Sequence, residues 1–293
     1  MLQQRFINRC TASALAMFLS LFCGLAHAES VNYVSLSTGL DNDNGNLFDA
    51  YIDIALTDEL RTTLGLGENT TESSDGSFTT KQQQISIAGY HSQSQQSALT
   101  WSLSYRTWGK KGTIETQDSS ISIGYFFSNN EFSNNWQLSL DYETGKLELF
   151  IKPEFASRAT SISSDRNAWR LTTGFTHNTG SFWVSFLQRK YEENLPAINQ
   201  RLTLQRAIKN IALNQAYALS KEELTLGYEW LFETLDLGIE YNRLVSVVDN
   251  HRNYYASIYT RFYVGQNLTV NLRIEQEIND RFTVYTAGIG YAW

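Results

Sequence analysis

Beyond residue 28 this 293-residue chain has no cysteine; its two, Cys10 and Cys23, both fall in the opening segment. The rest therefore lacks a disulfide, a thiolate nucleophile and a cysteine-based metal site. Proline is nearly absent, at Pro153 and Pro196 alone. Basic residues are in deficit. Setting aside Arg5 and Arg9, 21 of the 23 Lys and Arg remain against all 30 Asp and Glu, a formal charge of −9 at neutral pH. That balance argues against the basic face of a nucleic-acid binder. Long apolar runs are missing too: after residue 28 nothing approaches the roughly 20 apolar residues of a membrane helix. Apolar residues at helical spacing are scarce throughout.

Residues 1–28 read MLQQRFINRCTASALAMFLSLFCGLAHA. Arg5 and Arg9 form a positive n-region, Ala14 to Leu25 a short apolar core, and Ala26-His27-Ala28 an A-x-A cleavage site. The expectation is a cleaved secretory signal over 1–28 and a single domain over 29–293. Cys23 follows Ser-Leu-Phe, and Phe22 is too large to precede a lipidated cysteine.

What the chain has is alternation. Tyr, Phe, Trp, Thr, Ser and Gly dominate, a strand composition, and apolar and polar residues alternate with period two almost end to end. In WQLSLDYETGKLELFIK (136–152), Trp136, Leu138, Leu140 and Tyr142 alternate with polar residues, then the phase flips to Leu147, Leu149 and Ile151. A two-residue turn at Thr144-Gly145 would return both apolar sets to one face, with Gln137, Ser139, Asp141, Glu148 and Lys152 opposite. The same pattern places a turn at Glu233-Thr234 in 224–241, and another at Gly265–Asn267. Further segments lie near 31–40, 47–56, 60–67, 83–92, 98–108, 116–127, 168–177, 181–191, 203–219 and 281–293. About 16 strands are expected, or 14 or 12 if ambiguous pairs merge. An even number keeps both ends on one side of a membrane.

Each strand has a face of large aliphatic and aromatic residues and a face of Ser, Thr, Gly, Gln and charges. A soluble sandwich also alternates. Closing 12 to 16 such strands with the polar face inward gives instead a wet lumen and an apolar exterior. Aromatic residues near strand ends, namely Trp108, Phe126, Phe127, Trp136, Trp169, Trp183, Tyr291 and Trp293, suit interfacial girdles.

The final segment, TAGIGYAW (286–293), resembles the C-terminal assembly signal of Gram-negative outer-membrane β-barrels. That signal has a polar residue, a glycine two positions on, and aromatics third-last and last; Thr286, Gly288, Tyr291 and Trp293 fill these places. The resemblance implies an all-β fold, a transmembrane antiparallel up-and-down barrel. It also implies contact with outer-membrane lipid and lipopolysaccharide, and with the barrel-assembly machinery and periplasmic chaperones during biogenesis. It does not single out a subfamily.

On this alternation the lumen-facing acids are Asp49, Asp53, Asp141, Glu148, Glu229, Asp236, Glu240, Glu275 and Glu277. The bases are Arg61, Arg106, Lys152, Arg170, Arg189, Arg261 and Arg273. This mixture suits a pore wall that selects by its transverse field, or salt-bridge ladders that brace a closed barrel. The leading expectation is a passive channel for ions or small polar solutes through a slightly acidic lumen. Alternatives are a barrel exporting an exopolysaccharide, a structural or adhesion barrel, and, remotely, a rim protease resembling the omptins through Asp41, Asp43, Asp249 and His251. No His-x-Ser pair of the outer-membrane lipases occurs, and His91, His177 and His251 are too scattered for a metal site; no cofactor is expected. Lys110-Lys111 could meet lipopolysaccharide phosphates. Residues 192–200, with Pro196, read as a lid or plug; strict strand alternation puts them in the periplasm, whereas their length suggests an outer loop.

Overall fold

Alternating side chains along extended segments can satisfy every backbone group in lipid only if the sheet closes on itself. A computed structural model describes residues 32–42, 45–73, 76–94, 96–129, 134–151, 160–192, 219–247, 250–279 and 282–293. The expected signal at 1–28 lies outside them. Their strands are β1 (Tyr33–Asp41), β2 (Asn46–Thr57), β3 (Leu60–Ser73), β4 (Gly76–Ser94), β5 (Ser97–Lys110), β6 (Ile114–Asn129) and β7 (Asn134–Ile151). These are followed by β8 (Thr160–His177), β9 (Gly180–Tyr191), β10 (Ser220–Leu231), β11 (Leu235–Ser246), β12 (Arg252–Val264), β13 (Leu268–Glu277) and β14 (Thr283–Ala292). Each pairs antiparallel with its neighbours in sequence, and β1 closes on β14 from Tyr33↔Ala292 to Asp41↔Val284. Main-chain bonds between Asn32 and Trp293, 2.9 and 3.1 Å, finish the seam.

The alternation sorts two faces. Ile121, Ile123, Leu138, Leu140, Leu171, Phe186, Ile239, Ile258, Ile274 and Ile289 are exposed large apolar residues on the outside. Patches of this extent belong in lipid rather than water. The tight turns follow local chemistry: Gly112 and Gly265, in the β5–β6 and β12–β13 turns, take φ of 73° and 69°, which side chains resist.

Fourteen strands, rather than 16, make the barrel. Of the two surplus segments, 203–219 falls largely outside the described residues. The other comes from the inferred Thr144-Gly145 turn, which does not exist: β7 is one strand of 18 residues. Tyr142 pairs with Ile121 and Trp169, and Leu147 with Thr116 and Ser164. Gly145 is small for another reason, since a Cβ there would strike the Asp118 carboxylate and the Gln117 carbonyl. The phase flip marks the edge of the lipid belt. A bilayer needs about 9–11 tilted residues per strand, whereas β3 to β8 have 14 to 19. Past Tyr142 the outside of β7 meets water and carries Thr144, Lys146 and Glu148, while Leu147 and Leu149 turn inward and are buried with Trp108 and Ile114. Glu148 is accordingly not a lumen residue; it pairs with Lys146 at 2.6 Å on the outer face.

Counting β7 once also changes the rim to which strict alternation assigns the connection after β9. β9 ends at Tyr191 and β10 begins at Ser220, both at the rim opposite Trp293, and residues 193–218 between them lie outside the described residues. Three expected girdle residues also change face. Trp108 and Phe126 share the inward phase of Ser104 and Ser120, and Trp183 lies inside against Gly227. Phe127, Trp136, Trp169 and Tyr291 are exposed outside.

Candidate functional site

The inner face is the site, and its two walls differ. On the first wall, β5 to β10, the strands bring Arg106, Asp118, Asp141, Glu143, Arg166, Arg170, Arg189 and Glu223 to one side of the lumen. Four carboxylates meet four guanidiniums. Arg166 grips Asp118 with both forks, Nε to Oδ1 at 2.8 Å and Nη2 to Oδ2 shorter still. Arg106 bridges Asp118 at 3.5 Å and Glu143 at 3.6 Å. Arg189 Nε donates to Glu143 at 3.0 Å and its Nη1 to the Ser220 carbonyl at 2.7 Å. Glu223 accepts from Arg170 at 2.8 Å and from the Ser220 hydroxyl at 2.5 Å. Arg166, Arg189, Asp118 and Glu223 are only 0, 1, 4 and 3 % exposed. Charges this deep are tolerable because bidentate geometry and further hydrogen bonds satisfy them. A cavity of about 210 Å3 abuts this wall between Gln84, Arg106, Glu143 and Arg170. Asp141 lines it opposite Arg170.

The second wall runs from β11 through β14 and β1 to β3, with Glu229 of β10. It carries Asp49, Asp53, Glu229, Asp236, Glu240, Glu275 and Glu277 against Arg61, Arg261 and Arg273, seven acids to three bases. Its pairs are looser. Asp53 and Arg61 meet at 3.1 Å, with 32 and 39 % of their side chains exposed. Arg261 reaches Asp236 at 3.3 Å, and Tyr263 donates its hydroxyl to the same carboxylate. Arg273 spans Glu240 at 2.9 Å and Glu275 at 3.1 Å. Among the described residues, Glu229 Oε1 is a buried acceptor without a hydrogen-bond partner. A cavity of about 410 Å3 opens along this wall between Tyr33, Tyr51, Glu240, Tyr259, Arg261 and Arg273.

Thus Asp49, Asp53, Arg61, Arg106, Asp141, Arg170, Arg189, Glu229, Asp236, Glu240, Arg261, Arg273 and Glu275 face inward, Glu148 faces outward, and Lys152 lies outside the described residues. Leu231↔Asp236 and Glu229↔Gly238 register as the Glu233-Thr234 turn requires. The sequence reading missed Asp118, Glu143, Arg166 and Glu223, the centre of the first wall. Glu143 shares Asp141's parity and was hidden by the false turn. Asp118 sits in Gln117-Asp118-Ser119-Ser120, where no apolar residue sets the phase. Of the rim residues weighed as a protease, Asp43 and Asp249 lie outside the described residues, and Asp41 accepts the Gly45 N–H at 2.6 Å.

No family model matches this chain, and no curated protein matches it by sequence. Among solved structures it is similar to the NanC porin, at 9 % identity and TM-score 0.42, over 88 % of this chain and 98 % of that one. It is similar to the KdgM porin in complex with disordered oligogalacturonate, at 8 % identity and TM-score 0.41, over 88 % and 98 %. It is also similar to the toluene transporter TodX of Pseudomonas putida, at 9 % identity and TM-score 0.49, over 90 % of each chain. With its sheet closed through β1 and β14, its apolar exterior and its charged interior, this chain has the architecture of a closed fourteen-stranded antiparallel β-barrel.

Proposed function

We propose that this barrel is a passive channel for ions or small polar solutes. The observation that carries the reading is the exposure of paired charges inside a closed sheet. Arg61, Arg261 and Arg273 keep 39, 41 and 33 % of their side-chain surface open on the lumen side. Charged groups held that open need water around them, and a lumen that holds water beside them can pass polar solutes. The seven-to-three excess of acids on that wall favours cations. Recordings of refolded protein in planar bilayers test this; an absence of conductance steps over a wide voltage range would sink it. The buried ion pairs of the first wall, Arg166 with Asp118 and Arg189 with Glu143, favour a second reading, a barrel braced by its own lumen, which the same null recording would support.

The strand ends separated by the longest stretches of sequence, such as Tyr191 and Ser220, are at the rim opposite Trp293, the pattern of outer loops over short periplasmic turns. We propose the Trp293 rim as periplasmic, and Thr286, Gly288, Tyr291 and Trp293 as the assembly signal. Thr286 and Gly288 face the lumen, whereas Tyr291 and Trp293 face outward with stacked rings 6.4 Å apart. Trp293→Asp should leave protein in the periplasm; normal outer-membrane levels of that variant would refute the assignment.

A further inference from the structure

We infer that the second wall holds a subsite for a pyranose sugar, built on the rings of Tyr51 and Tyr259. This deepens the channel reading and rests on it for the sugar's route to the site. The cavity there, about 410 Å3, falls within the roughly 300–1,000 Å3 of small-ligand sites.

Each ring lies across a glycine of the adjoining strand. A Cβ on Gly65 would stand 2.7 Å from Tyr51 Cε1, and one on Gly238 would stand 2.5 Å from Tyr259 Cε1. Any side chain at either position would push its ring off the wall. The two glycines therefore let the rings rest against the sheet instead of crossing the lumen, which leaves an aromatic surface toward the cavity. The Arg273 guanidinium lies over the Tyr259 ring, its central carbon 5.9 Å from the centroid, which fixes the ring and sets an N–H donor beside the same face.

A pyranose carries hydroxyls around its edge and C–H groups on its faces. The C–H face suits the negative face of an aromatic ring. The hydroxyls need donors and acceptors that converge from several directions. Arg261 and Arg273 offer guanidinium N–H groups, Glu240 accepts, and the Asn271 amide does both. Both arginines are already paired, Arg273 with Glu240 at 2.9 Å and Glu275 at 3.1 Å and Arg261 with Asp236 at 3.3 Å, so the site is polar and holds no unpaired arginine for an anionic ligand. An inorganic ion would use the charges and ignore the rings. An acyclic polyol would make the hydrogen bonds and lack the flat face.

The test uses the full chain refolded in detergent and in planar bilayers, with lactose and sorbitol as probes. Calorimetry should give saturable binding of lactose and none of sorbitol at equal concentration. Lactose should interrupt the ion current in a concentration-dependent way. Tyr51→Ala and Tyr259→Ala should each weaken lactose about tenfold, the scale of a lost aromatic contact. Tyr259→Phe, which keeps the ring, should bind like the parent. No lactose binding, equal binding of lactose and sorbitol, or full affinity in both alanine variants overturns the subsite. Conductance without any response to lactose refutes the subsite and leaves the channel standing. Lactose heat without conductance supports the subsite and refutes the channel.

Discussion

The two lumen walls are made of the same residue types and behave differently. On the first, Arg166 and Asp118 are almost fully buried; on the second, Arg61 and Asp53 are each about a third exposed. The difference lies in matching. On the first wall arginines clasp Asp118, Glu143 and Glu223, so water can leave the centre around Arg166 and Arg189, although Arg170 stays 38 % exposed. Seven acids against three arginines leave the second wall with a formal excess of negative charge. In the proposed channel the first wall is a brace and the second the surface for solutes.

The largest effect should come from breaking the first wall. Asp118→Asn removes the carboxylate gripped by Arg166 and leaves that guanidinium buried with a weaker partner. A loss of about 3–5 kcal/mol is expected, as for other buried pairs broken on one side. Urea titration of the refolded barrel measures it; a loss below the level of a surface pair would mean that the wall is hydrated after all.

Next comes the charge of the second wall. Replacing Glu229, Asp236 and Glu240 together with Gln or Asn should remove the cation preference, read as reversal potential in a salt gradient. The parent's preference should itself fade as the Debye length contracts from about 10 Å at 0.1 M to about 3 Å at 1 M salt. An inserted, conducting variant with unchanged selectivity would show that this wall does not select.

A smaller effect should follow Gly238→Ala. The new Cβ would meet the Tyr259 ring, which must then swing toward the lumen and narrow it. Single-channel conductance should fall by a fraction without closing. Unchanged conductance would place the narrowest cross-section elsewhere.

The smallest effect should be that of Asp53→Asn. This pair is exposed to lumen water, and such pairs contribute about 0–1 kcal/mol. The same urea titration that reads Asp118→Asn should scarcely move. A large loss would erase the distinction between the walls.

Much of this was legible before folding. Leu224, Leu226 and Tyr228 against Leu237, Ile239 and Tyr241 set face, turn and register together, because alternation of strong apolar residues leaves one way to bury them. Where both faces turn polar, as around Asp118, or where the surroundings change along one strand, as at Tyr142, the pattern loses its reference. The flip in β7 looks like a turn because period two assumes that the same side faces lipid throughout. A strand that rises out of the bilayer breaks that assumption without bending.

Local sequence thus determined strands, their hairpin registers, the apolar exterior and most of the inward charges, since each depends on neighbours a few residues apart. Tertiary closure decided the strand number, the outward place of Glu148 and the partners of each lumen charge. Arg166 and Asp118 are 48 residues apart, and Tyr33 and Thr269 are 236 apart. Such groups meet only when the sheet curls and joins β1 to β14. No periodicity encodes which carboxylate an arginine reaches across three strands, because that depends on how far each strand slides past the next as the barrel closes.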